Sequence, residues 1–444
     1  MLAATASLSC LTLPIFQAEA KEEATPVLKM SPALMREDLT ELASNIKLHH
    51  PRPFRVISEE RFDELVAEGT ASLDENANRA DLLWAMSGIL ASIGCAHSSM
   101  PHFNQEDALI EVGQRFPVEV RMYGGRLFIM DPLSNADQLS IGQEIVSING
   151  ISVADLRNEI FAHIGADTNI PNFKEPAFNF YATSYLTYAL NFAESYELTV
   201  RGDTKPITLA PLEDFSPKPI ISPQAECQES LCYSIDEQRN IGIMTIRSFD
   251  YYGSDGQIFA DFTAAAFDDL AASNRAGLLI DVRGVLGGSG LVGSYLLRHL
   301  AKEPFAYFDN EISDPRGNEG LQELQRPIST GFEGPTYILM DGPTVSSVSH
   351  FLALAKENNI ATLIGEPSGG GKSTSDGKIR LAASHSGITY TVARMRFDVA
   401  APSLSIDEAV RPDIRLAYSL DDVLKRSDTM RDNALDLLAL HAGS

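Results

Sequence analysis

From Ser31 to Gly94 the apolar positions fall at the 3.6-residue period of helices that bury one face. "SPALMREDLTELASNIKLHH" opens with a Ser cap and a Pro at the first helical position, and "PRP" stops it. "EERFDELVAEGTASL" and "NRADLLWAMSGILASIG" repeat the pattern, so an N-terminal helical domain is predicted over residues 31–103. The pattern then shortens to strand-like runs: "RFPVEVRMYG", "GRLFIMD", "EIVSING" and "SYELTVRGD". A helix-like run, "VADLRNEIFAHIG", lies among them, which predicts an α+β module over residues 105–205. A Pro-rich stretch from Ile207 to Pro223 reads as a linker, and residues 206–232 are taken as a connector carrying a Cys pair.

Beyond the connector, apolar strands alternate with helices. "NIGIMTIRSF", "AGLLIDVRG", "PTYILMDG" and "ATLIGE" read as strands. "DGQIFADFTAAAFDDLAASN", "GSGLVGSYLLRHLAK" and "VSSVSHFLALAKENN" read as the helices between them. Continuous apolar strands joined by helices imply a parallel sheet covered on both faces. The predicted fold is therefore α/β and multidomain, with an α/β core over residues 233–425 and a helical tail over 426–444.

Charge narrows the partners. A net charge of −25 opposes nucleic acid and anionic membrane surfaces, both of which select Lys and Arg. The apolar start "MLAATASLSCLTLPIFQAEAKEE" ends in Ala18-Glu19-Ala20, a small-x-small cleavage pattern. It is read as a signal peptide over residues 1–20, leaving Lys21 first in a periplasmic or secreted protein with no membrane span. A lipid anchor at Cys10 fits poorly after Ser7-Leu8-Ser9. Of the three cysteines that remain, Cys227 and Cys232 bracket "QESL" and are expected to form a disulfide in an oxidising compartment. Cys95 is left unpaired, and this inventory predicts no zinc site.

Candidate chemistry gathers where ligands bind such sheets, beyond the carboxyl ends of the strands. "GEPSGGGKST" superficially resembles a phosphate-binding loop, but Glu366 stands where the motif needs its first glycine. The downstream run "DGKIRLAASHSGITYTVARMRF" alternates as two strands joined by a turn, not as the helix such a loop opens. "DGPTVSSVSHF" places Ser346 and Ser347 at a helix entrance, where free amides and the dipole favour negative charge. On position alone both serines read first as helix caps.

A resemblance changes that reading. "DGPTVSSVSHFLALAKENNIATLIGEPSGGG" is similar to the core of the carboxy-terminal-processing (tail-specific) protease family, peptidase family S41. Asp341-Gly342, Thr344-Val345-Ser346 and Gly365-Glu366-Pro367-Ser368 follow that family's order and spacing. "LLIDVRGVLGGSG" resembles its Asp-x-Arg-x-x-x-Gly-Gly segment, and "AVRPDIRL" its closing signature with Ala409 in a glycine's place. "LSIGQEIVSINGISV" looks like the PDZ-type module such proteases carry, and "LASIGCAHSSM" like the Gly-Asp-Gly-His-Thr stretch before it. The resemblance implies a ClpP/crotonase-like catalytic core and a PDZ-like module that grips a chain end by adding it as a strand.

It further implies a serine peptidase acting on peptides or unfolded protein ends, with no metal or organic cofactor and with oligomers possible. Ser346 becomes the nucleophile, with an oxyanion hole from the amides of Ser347 and of Gly287 or Gly288. The base stays open. Many members carry a lysine 25 residues after the serine; here that place is Gly371, and Lys372 follows it. A lysine base would have to fall from about 10.4 toward 7, roughly 4 to 5 kcal/mol, whereas a histidine starts near 6.5. His97, as in tricorn-type relatives, is favoured over Lys372. Glu366 and Asp407 are the candidate orienting acids. Asp281 and Arg283 read as an ion pair holding a loop, His350 as a histidine behind the nucleophile, and His385 as a solvated turn residue. Val285, Cys95-Ala96 and Ser98 depart from the family pattern (Asn, Asp-Gly and Thr), which keeps an inactive binder of peptide or hydrophobic ligand as the alternative.

Overall fold

The computed structural model describes residues 30–443 except 102, 104–108, 111–112, 169, 204, 213–226, 228, 310–317 and 319. The expected signal peptide, Lys21 and Cys10 lie outside the described residues, as does most of the expected connector.

Three helices open the described residues: α1 (Pro32–His49), α2 (Glu59–Ser72) and α3 (Arg79–Ser92). Ser31 caps α1 through its hydroxyl on the Leu34 amide, and Asn78 with Asp81 forms a capping box on α3. An antiparallel sheet follows, with β1 (Glu119–Tyr123), β2 (Arg126–Asp131), β3 (Glu144–Ile148), β4 (Ile151–Ser152), β5 (Tyr196–Val200) and β6 (Ile207–Leu209). Helix α4 (Val153–Phe161) packs on this sheet, and α5 (Lys174–Phe180) and α6 (Ala182–Ala189) precede β5. The strand order is β1-β2-β3-β5-β6, with β4 on β3. Ile207–Leu209 is thus a strand paired to β5, not the start of a connector. Pro206 precedes the strand, where its missing donor is harmless.

The second sheet is the α/β core. It comprises β7 (Leu231–Asp236), β8 (Ile241–Ile246), β9 (Gly277–Asp281), β10 (Thr336–Met340), β11 (Thr362–Gly365) and β16 (Ile414–Arg415). Its order is β16-β11-β10-β9-β8-β7, parallel throughout except for β7. Between β8 and β11 run α7 (Gly256–Ala272), α8 (Gly290–Leu300) and α9 (Ser347–Glu357). Phe259, Phe267, Leu296, Leu297 and Phe351 from these helices bury one face of the sheet. After α10 (Leu420–Lys425), helix α11 (Thr429–Ala442) covers the other face with Met430, Leu435 and Leu438 on Leu279, Leu339 and Ile364. The expected tail is therefore a structural layer of the core: strands as apolar as β9 and β10 need a cover on both sides. Cys232 likewise lies inside β7 and is bonded to Cys227.

Four short strands leave the core after β11: β12 (Ser373–Asp376), β13 (Ile379–Ala382), β14 (Thr389–Val392) and β15 (Met395–Asp398). β13 and β14 form the predicted hairpin, and β12 pairs with β15. Ile388, Tyr390 and Val392 share one hydrophobic cluster with the N-terminal helices and the antiparallel sheet. Asn45 on α1 donates to the Tyr390 hydroxyl at 2.8 Å, and Asp38 accepts the amides of His385 and Ser386. The hairpin bolts the two halves of the chain together. No helix among the described residues is long and apolar enough to cross a membrane.

Candidate active site

Ser346 lies in the turn between β10 and α9, beyond the carboxyl end of the central strand. Its backbone takes φ +59° and ψ −133°, an unusual conformation for a residue with a Cβ. The surroundings enforce it. Thr344 folds back on the Asp341 carbonyl through both its amide and its hydroxyl. The Val345 amide reaches the Val285 carbonyl, and the Ser346 carbonyl accepts from Ser349 Oγ at 2.7 Å and from the His350 amide. Asp341 is buried, accepts the Gly284 amide at 2.8 Å, and has its carboxyl pushed up to about 7, chiefly by that burial.

The glycines of "GEPSGGGKST" press on this turn. The amides of Gly369 and Gly370 donate to the Thr344 carbonyl at 2.8 and 3.2 Å. A Cβ on Gly370 would stand 2.6 Å from Ser349 Oγ, so the close approach needs glycine. The stretch forms a wall behind the nucleophile turn and then enters β12.

On the other side stands the β9–α8 loop. Gly287 and Gly288 have φ of +118° and +133°, a region that residues with side chains rarely adopt. A Cβ at Gly287 would lie 2.6 Å from Ser346 Cβ, and one at Gly288 would strike the Phe249 backbone. Among the described residues, the amides of Gly287, Gly288 and Ser347 have no hydrogen-bond acceptor. Asp281 and Arg283 pair at 2.7 Å, and Asp428 and the Tyr418 hydroxyl also bind the buried Arg283 guanidinium. This network anchors the loop's root.

His97 follows α3 in an irregular segment laid along β14. Thr391 accepts the Ser99 amide and donates to the His97 carbonyl, and Ser98 Oγ accepts the Ala393 amide. This brings His97 Nε2 to 3.1 Å from Ser346 Oγ. On the ring's far side, Nδ1 lies 3.4 Å from Thr374 Oγ1, and that hydroxyl is 2.9 Å from Asp167 Oδ2. Asp167 is buried, and its other oxygen accepts the Ala96 amide. Asp376 places Oδ2 3.6 Å from Nε2 at the rim.

The remaining candidates lie elsewhere. Lys372 Nζ donates to the Ala401 carbonyl at 3.0 Å and makes no hydrogen bond to Ser346 or His97. Asp407 is paired with Arg55 at 2.6 Å. Glu366 is half-buried near Arg121, Arg415 and Glu175, and desolvation raises its pKa; it makes no hydrogen bond to His97. The geometry gives neither acid a place behind the imidazole; Asp167 and Thr374 hold it. Sequence reading missed both, because no spacing ties "HIGADTN" to a hydroxyl 207 positions later. His350 is buried behind Ser346, its pKa lowered to about 4 by desolvation. His385 is exposed in its turn, as expected, and there pairs with Glu37 at 2.8 Å. Cys95 is buried and its thiol is pushed up to about 12, which makes it inert as a nucleophile.

A hydroxyl, an imidazole and free amides thus gather at the strand ends of the sheet, an arrangement chemically suited to acyl transfer. Residues 240–416, most of the α/β core, match the model of peptidase family S41. The fold of the chain is similar to that of mature CPAF. The structure of CPAF complexed with lactacystin superposes with a TM-score of 0.60 at 15% identity, covering 92% of this chain and 98% of that one. The uncomplexed mature protein gives 0.59 at 14%, covering 93% and 99%. No curated protein sequence matches the chain significantly.

Proposed function

We propose that the chain is a serine peptidase of the S41 type in its histidine-containing branch, acting on peptides or unfolded protein ends. The observation that carries this reading is the 3.1 Å contact between His97 Nε2 and Ser346 Oγ. In the acylation step Ser346 Oγ attacks the peptide carbonyl and its proton passes to Nε2. The imidazolium then donates that proton to the leaving amine, and water, deprotonated by the same nitrogen, releases the acyl group. For this His97 must carry its resting proton on Nδ1, and the Thr374 hydroxyl, itself donating to Asp167, is the acceptor that selects that tautomer. The carbonyl oxygen gains negative charge in the transition state, and the free amides of Ser347 and of Gly287 or Gly288 are the donors to meet it.

The antiparallel sheet and α4, over residues 105–205 with β6 just beyond, are read as the PDZ-like module that holds a substrate chain end. The Cys227–Cys232 bond supports export to an oxidising compartment, periplasmic or extracellular. The test is a fluorophosphonate probe on the full chain, followed by peptide mapping. Labelling at Ser346 together with hydrolysis of a disordered peptide is the expected result. Absence of both would leave an inactive binder of the same fold.

A further inference from the structure

Cys95 has no part in the mechanism above, yet it lies beside the base. Its Sγ, a ring nitrogen of His97 and a carboxylate oxygen of Asp167 all lie within 4.8 Å of one another. The ring nitrogen on that side is Nδ1, because Nδ1 faces Thr374 and through it Asp167, while Nε2 faces Ser346. A thiolate, an imidazole and a carboxylate form a donor set suited to zinc, and three protein ligands leave a position for water. Cys95 and Asp167 are buried, so the ligands are held by packing.

We propose that Cys95, His97 and Asp167 form an inhibitory site for a thiophilic divalent cation such as Zn²⁺ or Cd²⁺. The inhibitory role rests on His97 being the base; the site itself does not. Binding breaks the Cys95 S–H bond, whose proton leaves to solvent, and a metal–sulfur bond replaces it. The metal takes the lone pair of Nδ1, and the ring's single proton moves from Nδ1 to Nε2. A nitrogen carrying that proton cannot accept the one from Ser346, so acylation stops. Asp167 exchanges the Thr374 hydroxyl for the cation. Arg52, the nearby positive charge, is engaged by Ser373, Ser375 and Asp398.

The test is a cobalt titration of the full chain with an activity measurement alongside. Cobalt should give a thiolate-to-metal charge-transfer band in the near ultraviolet, and zinc should bleach it. Cys95→Ala should show no band in a chain that begins at Lys21, whose other cysteines, Cys227 and Cys232, are bonded to each other. Cys95→Ala should hydrolyse peptide at the wild-type rate yet need more than about 10-fold more zinc for half inhibition, a loss that even outer-sphere changes produce. Absence of the band from the wild-type chain, or equal zinc inhibition of both proteins, overturns the proposal. A chain with the band but no peptidase activity would keep the metal site and refute its inhibitory role, so the two readings fail separately.

Discussion

Ser346 and His97 meet at 3.1 Å but are held by different kinds of structure. Ser346 is placed locally. β10, the turn and α9 are contiguous, and the strained φ is fixed by backbone bonds from Asp341, Val285 and Thr344. His97 is placed at long range. It comes from an irregular segment held by Thr391, Ala393 and the Asp167–Thr374 pair, across a hairpin that α1 grips through Asn45 and Asp38. A nucleophile specified by its own turn and a base specified by the tertiary fold should respond differently to perturbation.

Outside the Ser346–His97 pair itself, the largest effect is expected at the oxyanion loop, within the local half. Gly287→Ala would put a Cβ 2.6 Å from Ser346 Cβ and displace a free amide. We expect kcat to fall on the order of 10²- to 10³-fold, with some loss of thermal stability from the strained φ and the close contact. Unchanged kcat would remove Gly287 from the site. The long-range half is sharpened by Asp167→Asn and Thr374→Val, which should lower kcat by about 10²-fold, with KM held and the pH–rate profile altered. Equal losses in the two variants and in the double variant would identify one chain of contacts; additive losses would separate them.

A pH effect of intermediate size follows from two buried histidines. His50 and His350 are both lowered from 6.5 to about 4, in each case chiefly by desolvation. The unfolded chain therefore binds protons below 6.5 that the folded chain refuses until about 4, so stability falls as pH drops through that window. The slope is at most about 1.4 kcal/mol per pH unit for each histidine. Glu144 acts lower: hydrogen bonds from Arg201 and then Arg126 hold it at about 2, so its contribution is full above 4.5 and is lost as pH falls toward 2. Urea midpoints against pH would show the upper window flatten in His350→Phe. The smallest effect is expected from Tyr390→Phe, which deletes the Asn45 contact; about 1 kcal/mol of stability should go.

Legibility divided along the same line. β9 and β10 were plain in "GLLID" and "TYILM", because a strand buried on both faces is apolar at every position. Ser346 and the glycine pair were legible only through the family resemblance, whose motif strand, turn and helix keep contiguous in sequence; on position alone Ser346 read as a cap. Helices α5 and α6 were not assigned, their aromatic run lacking a clean period and Pro176 sitting in the first turn. Ile207–Leu209 was hidden among prolines. Asp167 and Thr374 carry no local mark of their role, since only the fold brings them to His97.

The central claim is that His97, not Lys372, takes the proton from Ser346. The most direct measurement compares hydrolysis of one disordered peptide by the wild-type chain, His97→Ala and Lys372→Ala. His97→Ala should lose on the order of 10⁴-fold or more in kcat, within the range seen for removal of such a base, while Lys372→Ala stays close to wild type. Full activity in His97→Ala, or its collapse in Lys372→Ala with the fold intact, would contradict the account.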